Sequence, residues 1–460
     1  MSRPARPHRK PAPDAPRRTA FEALRLIDER DGYANLVLPP LLRQREIVDR
    51  DAAFTTELVY GSLRMRGLDD AVIAACIDRP LDDVDPPVRD VLRLGVHQLL
   101  SMRVPQHAAV SATVELARAV LGEGRATFVN AVLRRVSDRD LEAWIAAVAP
   151  PAATDPLGHL AVAQSHPRWI VSAVRDALAG DLDETAAFLA ADNVAPAVTL
   201  VARPGWSTVD ELLAAGAEPG RWSPYAAILG GGDPGRIDAV RTGRAGVQDE
   251  GSQLVAAALA TAPLTGDDAR WLDLCAGPGG KAALLAAIAE ERGATVTAVE
   301  PQPHRVELVR SALAASSGAH EVVEADGTDE RWIGFGADRV LVDVPCTGLG
   351  ALRRRPESRW RRTPDALSSL APLQRALLGR ALDAVRPGGV VAYVTCSPHL
   401  AETRVVVADV LRGRGDVERI DARALMPSGL ERLGDGPDVQ LWPHRHGTDA
   451  MYLALMRRSG

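Results

Sequence analysis

From about Val247 to the end of the chain, short apolar segments alternate with longer segments whose apolar residues recur at helical spacing. The strand-like segments are Trp271 to Cys275, Thr295 to Val299, Glu321 to Glu324, Val340 to Val344 and Val390 to Thr395. Strands that alternate with helices form a mostly parallel sheet covered on both faces. We therefore predict a doubly wound α/β domain over residues 247–460, with a terminal hairpin formed by Val439 to Trp442 and Met451 to Leu455.

The preceding residues divide into four parts. Residues 19–148 carry apolar side chains at helical spacing throughout, which predicts an all-α domain. The Pro- and Ala-rich segment 149–160 is interpreted as a linker, and a small mixed α/β subdomain is predicted over residues 161–246. Residues 1–18 contain six basic side chains, one acid and no apolar period. They predict a disordered arm, with nucleic-acid contact and a solvated tail both left open.

Four cysteines occur in 460 residues, and none belongs to a Cys-x-x-Cys pair. We therefore expect neither a disulfide framework nor a metal site. No apolar run reaches the roughly 18 residues that span a bilayer, and the N-terminus lacks the apolar part of a secretory signal. We expect a cytoplasmic monomer that binds no membrane. Because the net charge is −6, nucleic-acid binding would depend on local basic patches.

A glycine-rich turn joins the first predicted strand of this domain to an Ala- and Leu-rich helix. It consists of Cys275, Ala276, Gly277, Pro278, Gly279, Gly280 and Lys281. Glycines let a backbone approach a ligand closely, and a helix start offers free N–H groups. The turn has neither the dinucleotide GxGxxG spacing nor the P-loop spacing, which disfavours nicotinamide cofactors and ATP. A purely structural strand-to-helix turn is the alternative.

Acidic residues end the next two strand-like segments. Glu300 lies twenty residues after Gly280, where an acid meets ribose hydroxyls in nucleotide-binding α/β folds. Asp326 follows the next segment and would lie at the adenine edge of such a site. Together with the turn, these acids make S-adenosyl-L-methionine the leading ligand.

Two cysteines directly follow later predicted strands. Cys346 lies in the segment Asp343–Gly350, and Cys396 lies in Tyr393–Pro398. Because ligands bind at the carboxyl ends of strands in open α/β sheets, we predict one site with two thiols. The alternative is that each cysteine is a small buried apolar residue, as we expect for Cys76 in its helical apolar segment.

Two thiols have a chemical use in a methyltransferase. Carbon 5 of cytosine is a poor nucleophile, and it becomes enamine-like only after a thiolate adds to carbon 6. The attacking thiol must be partly ionised near neutral pH, so we expect its surroundings to lower its pKa.

Six arginines surround Trp360 between Arg353 and Arg362. This pattern predicts phosphate contacts and base stacking with an RNA strand. A solvated loop whose tryptophan packs onto the protein is the alternative.

These motifs resemble those of the bacterial RNA (cytosine-C5) methyltransferases, specifically the 16S rRNA methyltransferase B group (RsmB, Sun or Fmu). The matching segments are DLCAGPGGK at Asp273–Lys281, DVPCTGLGALRRRPESRW at Asp343–Trp360, YVTCSP at Tyr393–Pro398, and, in the helical part, Thr55–Arg64, LRLGVHQLL from Leu92 and FVNAVLRRV from Phe128. The resemblance covers about residues 18–456. It implies a multidomain chain, with an all-α NusB-like RNA-binding domain and a Rossmann-like class I S-adenosyl-L-methionine-dependent methyltransferase domain.

The resemblance also implies roles for individual residues. Cys396 would be the nucleophile, and Cys346 would assist release of the methylated product. The turn from Cys275 to Lys281 would contact S-adenosyl-L-methionine, as would Glu300, Asp326 and Asp343. The implied substrate is RNA, in this group 16S rRNA.

Two other functions remain open from the sequence. Amine- or adenine-directed methyltransferases carry [DN]PP[YFW] after the fourth strand, a pattern that Asp343–Cys346 does not have. A non-catalytic RNA-binding factor would depend on the N-terminal domain alone, and it would bind no S-adenosyl-L-methionine.

Overall fold

The structure is a computed structural model that describes residues 14–459. The chain forms two compact units. The helical unit comprises the residues up to Val171 together with Arg354–Arg361. The sheet unit comprises Ser172–Arg353 and the residues from Arg362 onward. Within residues 14–459, no helix combines the length and apolar character needed to cross a membrane.

The helical unit is built from amphipathic helices. They are α1 (Ala15–Glu29), α2 (Ala34–Gln44), α3 (Asp49–Ala75), α4 (Pro86–Leu100), α5 (Gln106–Leu121), α6 (Glu123–Val136), α7 (Leu141–Val148) and α8 (Pro156–Ala163). Apolar side chains at helical spacing, such as Leu24 and Ile27 in α1 and Val129 and Leu133 in α6, meet in one buried core. Cys76 is also buried in this core, as its helical apolar segment predicts.

Two of these helices begin inside segments predicted to be irregular. Helix α1 starts at Ala15 because the Asp14 carboxylate accepts a hydrogen bond from the backbone N–H of Arg17 at 2.9 Å, which caps the helix. The last residues of the predicted arm are therefore helical, while residues 1–13 lie outside the described part. Helix α8 starts inside the predicted linker, where Asp155 caps it and Pro156 occupies its first turn.

The remaining helices, except one in the helical unit, connect or cover the strands. They are α9 (Arg168–Ala177), α10 (Leu182–Asp192), α11 (Val209–Ala214), α12 (Asp238–Arg241), α13 (Glu250–Thr261), α14 (Gly280–Glu291), α15 (Pro303–Ala312), α16 (Ser358–Arg361, in the helical unit), α17 (Ala366–Ala384), α18 (Arg404–Leu411) and α19 (Pro443–His446). The strands are β1 (Val198–Ala202), β2 (Glu218–Pro219), β3 (Ala226–Leu229), β4 (Ala245–Val247), β5 (Arg270–Asp273), β6 (Thr295–Glu300), β7 (Glu321–Glu324), β8 (Ala337–Asp343), β9 (Val385–Thr395), β10 (Val417–Ile420), β11 (Val439–Gln440) and β12 (Tyr452–Arg458).

The strands form two sheets. A small antiparallel sheet has the order β2-β3-β1-β4, and the large sheet has the order β10-β12-β9-β8-β5-β6-β7. Strands β5 to β9 are parallel, whereas β12 runs antiparallel to β9, β10 and β11. The predicted parallel strands and the terminal hairpin are thus present. The chain moves outward from β5 to β7 and returns at β8, so the topological switch point lies between β5 and β8.

Both faces of the large sheet are covered. Trp271 in β5 belongs to a core shared with the Ala- and Leu-rich helices α13 and α14, whereas its neighbour Leu272 belongs to a core shared with α17. A strand that packs against apolar side chains on both faces has a continuous run of apolar residues, and this is the pattern seen in the sequence.

The arginine-rich segment does not have the surroundings predicted for it. Arg359 is fully buried, and Arg359 and Arg361 donate hydrogen bonds to backbone carbonyls of the helical unit at 2.8–3.3 Å. Trp360 packs against α3, where a Cβ added to Gly67 would lie 2.4 Å from its ring. Arg359 is therefore not accessible to an RNA strand, and Trp360 packs onto the helical unit, as the alternative for this segment had it. Contact between RNA and the other arginines of the segment stays a prediction.

Candidate active site

The glycine-rich turn lies directly after β5 at the switch point. Gly279 has φ +107°, and a Cβ added there would lie 2.6 Å from the Cβ of Ala312. A Cβ added to Gly277 would lie 2.1 Å from Oε2 of Glu300. Glycine is therefore required at Gly279, where φ is positive and the turn runs close against α15, whereas a side chain at Gly277 would displace the carboxylate of Glu300. Helix α14 begins at Gly280 without a side-chain cap, so its first N–H groups suit an anionic or polar ligand group.

Strand register brings the predicted acids to one edge of the sheet. Asp273 pairs with Ala298 in β6, and Glu300 pairs with Glu324 in β7. Asp326 follows β7 by two residues at the same edge. Ligands of doubly wound sheets bind at this carboxyl edge.

The polar contacts of Glu300 leave acceptor positions on its carboxylate unused. Its side chain is 2% exposed, Oε1 accepts a hydrogen bond from the backbone N–H of Gln302 at 3.0 Å, and Oε2 lies 3.4 Å from the guanidinium of Arg305. An ionised carboxylate has about four acceptor positions, so two hydroxyls of a ribose can bind as well. The cradle formed by this acid and the cramped glycine turn fits a nucleoside-bearing cofactor.

Lys281 forms an ion pair with Asp343 at the end of β8. Lys281 Nζ lies 2.7 Å from Asp343 Oδ2, and both side chains are largely buried. Burial disfavours the charged amine, but the Asp343 carboxylate outweighs this effect and raises the pKa of Lys281. The pair therefore places a fixed positive charge beside the end of β8.

The two predicted thiols meet next to this ion pair. Cys346 follows β8 and Cys396 follows β9, and their Sγ atoms are 3.3 Å apart. The two loops are held together by the backbone N–H of Gly350, which donates to the carbonyl of Cys396 at 2.9 Å. Both thiols are partly accessible to solvent. The sheet therefore brings together two sulfur atoms from segments fifty residues apart.

The surroundings of the two thiols differ. The hydrogen bond from Cys346 lowers the pKa of Cys396; burial opposes this effect, Lys281 adds to it, and Asp343 and Asp449 oppose it. The pKa of Cys346 is raised well above its ordinary value by the same hydrogen bond and by burial, with a further contribution from acidic neighbours. The pKa of Cys396 is thus shifted in the direction that favours its thiolate, and the pKa of Cys346 in the direction that favours its protonated form.

Cys275 has a different chemical character. Burial, followed by the charges of Asp273, Asp343 and Glu300, raises the pKa of its thiol well above the ordinary value. A thiol of this kind is a weak nucleophile at neutral pH. Its position in the glycine turn suits packing against a ligand instead.

Near the thiols, Arg353 has partners other than the RNA phosphates predicted for it, and Glu402 was missed by sequence reasoning. Arg353 is buried between Asp449 and Asp249, with guanidinium-to-carboxylate distances of 2.7 and 2.8 Å. The fully buried Glu402 accepts a hydrogen bond from the backbone N–H of Thr347 at 2.8 Å. These partners are 55 to 104 residues apart in the chain, so no local pattern reveals them.

A doubly wound sheet with a glycine turn at its switch point, acids at its carboxyl edge and paired thiols defines the chain as a Rossmann-like methyltransferase. Residues 259–457 match the family model described as 16S rRNA methyltransferase RsmB/F, and residues 14–138 match the NusB family. The chain belongs to the RsmB/F methyltransferase family and carries a NusB-family domain at its N-terminal side. The resemblance noted in the sequence and the predicted fold class are thereby confirmed.

Several similar proteins match this chain over almost its whole length. The putative methyltransferase Rv1407 of Mycobacterium tuberculosis (strain ATCC 25618 / H37Rv) is 56% identical over 455 residues, which is 98% of each chain. The probable ribosomal RNA small subunit methyltransferase B of Bacillus subtilis (strain 168) is 30% identical and covers 96% of this chain and 98% of its own. The crystal structure of PH0851, at 22% identity, covers 97% of this chain and 99% of its own with a TM-score of 0.78, which shows a shared fold.

Proposed function

We propose that the protein transfers a methyl group from S-adenosyl-L-methionine to carbon 5 of a cytosine in small-subunit ribosomal RNA. The observation that carries this proposal is the 3.3 Å separation of the Cys346 and Cys396 sulfur atoms at the carboxyl edge of the sheet. Methylation of a nitrogen or an oxygen needs no thiol, whereas methylation of carbon 5 needs one to activate the ring.

S-adenosyl-L-methionine would be held at the carboxyl ends of β5, β6, β7 and β8. The turn from Cys275 to Lys281 would hold the methionine part, Glu300 would accept hydrogen bonds from ribose hydroxyls, and Asp326 would lie toward the adenine. Asp343 would lie toward the target base. When bound, the cofactor would supply an electrophilic methyl group on a sulfonium and would leave as a neutral thioether.

The residues of the chain then perform the ring chemistry. The Cys396 thiolate forms a bond to carbon 6 of cytosine, which makes carbon 5 nucleophilic. After carbon 5 has accepted the methyl group, a base removes the proton from carbon 5 and the bond between carbon 6 and Cys396 Sγ breaks. Cys346, hydrogen-bonded to Cys396, assists this release. The lowered pKa of Cys396 supports its role as the attacking thiol.

RNA as the substrate is supported by the relatives. The Bacillus subtilis relative is named a ribosomal RNA small subunit methyltransferase, and the family model carries the same substrate in its description. We extend that substrate to this chain, with the NusB-family domain as an RNA-binding module.

Methyl transfer to protein-free 16S rRNA tests the proposal directly. With S-adenosyl-L-methionine labelled in its methyl group, we expect the label in 5-methylcytidine after nuclease digestion and chromatography. Cys396→Ala abolishes transfer, because no thiolate activates the ring. Cys346→Ala accumulates an RNA–protein adduct that survives denaturing electrophoresis, because release is impaired.

Cys76→Ala is the matched control, since this cysteine is buried in the helical unit. It is expected to transfer methyl groups at the wild-type rate and to form no stable adduct. Undiminished transfer by Cys396→Ala, or label recovered on a nitrogen of the base, refutes the proposal.

A further inference from the structure

Glu402 is a buried acid close to the thiol pair that the proposed reaction does not use. It lies seven residues after the end of β9, and its side chain is fully buried. The backbone carbonyl of Glu402 accepts a hydrogen bond from the hydroxyl of Tyr393 at 2.7 Å, which anchors this segment to β9. A buried carboxylate costs free energy unless its oxygens are satisfied, so its contacts indicate what it does.

The carboxylate of Glu402 is bound by donors from the loop that carries Cys346 and from helix α17. Oε1 accepts from the backbone N–H of Thr347 at 2.8 Å and from Nε2 of Gln374 at 3.1 Å, and Oε2 accepts from the hydroxyl of Thr347. Nε2 of Gln374 also donates to the carbonyl of Pro345 at 2.9 Å. The residues on both sides of Cys346 are thus tied to one carboxylate.

The position of this charge is asymmetric with respect to the two sulfur atoms. Glu402 raises the pKa of Cys346, after the hydrogen bond to Cys396 and burial. Lys281 acts on the other thiol and lowers the pKa of Cys396. The other charged groups that face the pair are Asp343 at the end of β8 and Asp449 before β12. His399 and Tyr393 flank Glu402, and burial disfavours the charged form of each.

We propose that Glu402 is a positioning residue that holds the Pro345–Thr347 turn and keeps the proton of the thiol pair on Cys346, so that the negative charge stays on Cys396. This inference rests on the proposed function, because it explains which of two adjacent thiols attacks the ring. Without the carboxylate, the two sulfur atoms would compete for the same proton, and part of the protein would carry the thiolate on the wrong residue.

Thiol labelling of the full chain tests this inference without RNA or cofactor. The reduced protein is treated with substoichiometric iodoacetamide from pH 6 to pH 10, and the label on each cysteine is quantified by peptide mass spectrometry. In the wild type, Cys396 labels at lower pH than Cys346. Glu402→Gln keeps the shape but removes the charge, and we expect the ratio of Cys396 to Cys346 labelling to fall about tenfold, the change that one pKa unit gives.

Two variants serve as controls. Glu402→Asp retains the charge and is expected to keep the wild-type order of labelling. Glu418→Gln, at an exposed position in β10, is expected to change nothing. An unchanged ratio in folded Glu402→Gln overturns the inference, and so does Glu402→Asp behaving like Glu402→Gln. If Glu402→Gln does not fold, the wild-type profile still decides, because earlier labelling of Cys346 than of Cys396 overturns the inference by itself.

The labelling result is separable from the proposed function. Methyl transfer that survives Cys396→Ala refutes the proposed function, whatever the labelling ratio is. A labelling ratio that does not respond to Glu402, in a protein whose methyl transfer depends on Cys396, refutes only this inference.

Discussion

Asp273, at the end of β5, predicts a measurable dependence of stability on pH. Its side chain is 1% exposed and accepts a hydrogen bond from the backbone N–H of Cys275 at 3.2 Å. Burial raises its pKa from an ordinary value of 3.8 to about 7, and this hydrogen bond only partly offsets the effect. The charges of Asp343 and Glu300 add to the increase, whereas Lys281 opposes it.

The sign follows from proton counting. Between pH 3.8 and about pH 7 the folded protein keeps a proton on Asp273, while the unfolded chain has lost it. Protonation therefore favours the folded state, and its contribution is complete below pH 3.8 and is lost as the pH rises to about 7. Each pH unit in this interval is worth about 1.4 kcal/mol, so raising the pH from 5 to 8 costs about 3 kcal/mol.

Asp273→Asn removes this cost, because the amide does not titrate. Burying the amide carries a penalty of about 1–3 kcal/mol, but that penalty is the same at both pH values and cancels in the comparison. We therefore expect the free energy of unfolding of the variant, relative to that of the wild type, to be about 3 kcal/mol larger at pH 8 than at pH 5, so that the variant is relatively more stable at the higher pH.

Urea unfolding of the full chain at the two pH values, followed by tryptophan fluorescence and fitted with one transition for each unit, measures this difference. Asp365→Asn is the matched control, because Asp365 is exposed at the start of α17 and makes no side-chain cap. A stability difference between Asp273→Asn and the wild type that is the same at pH 5 and pH 8 refutes the reasoning.

Three further substitutions act on the loops around the thiols. Gly350→Ala places a Cβ 2.2 Å from the carbonyl oxygen of Ala450, so a loss of about 1–3 kcal/mol is expected in calorimetric unfolding, and an unchanged melting temperature would contradict the steric argument. Arg353→Met removes the guanidinium that lies 2.7 and 2.8 Å from the buried carboxylates of Asp449 and Asp249 and should cost about 3–5 kcal/mol in urea unfolding, whereas a neutral result would show that this guanidinium does not stabilise the folded state. Lys281→Met removes the cation that lowers the pKa of Cys396, and iodoacetamide labelling of Cys396 is expected to slow about tenfold at pH 7.5 and to recover at pH 10. Equal rates for wild type and variant at pH 7.5 would show that Lys281 does not act on this thiol.

The centre of the large sheet could be predicted because strands β5, β6, β8 and β9 are largely buried. Each parallel strand from β5 to β9 contains or adjoins an apolar run, and such runs stand out from the helical segments between them. Strand β10 could not be found in this way, because Val417 and Ile420 enclose two charged residues and the strand lies at the edge of the sheet. The helix starts at Ala15 and Pro156 are hard to see in the sequence, because the aspartate that caps each helix lies among prolines typical of irregular segments.

In the arginine-rich segment, charge alone does not show which side chains are exposed to solvent and which are buried. Arg361 donates to the carbonyl of Ile27, close to the C-terminal end of α1, where unsatisfied carbonyls attract cations. A buried arginine needs such acceptors, and nothing in the segment itself shows that another part of the chain supplies them. The burial of Arg359 is likewise a property of the packed helical unit and not of its sequence neighbours.

The inequality of the two thiols follows from the order of the strands. Cys346 and Cys396 have similar local sequences, and each comes directly after a buried strand, so their positions alone do not decide which one ionises. Strand β8 lies between β5 and β9, so Lys281, in the turn after β5, reaches Asp343 at the end of β8 and affects the neighbouring site at Cys396. Glu402 comes from the far side, after β9, and binds the loop of Cys346. In the proposed arrangement, Lys281 from one side and Glu402 from the other make the two thiols unequal, and this difference comes from tertiary structure and not from either cysteine motif.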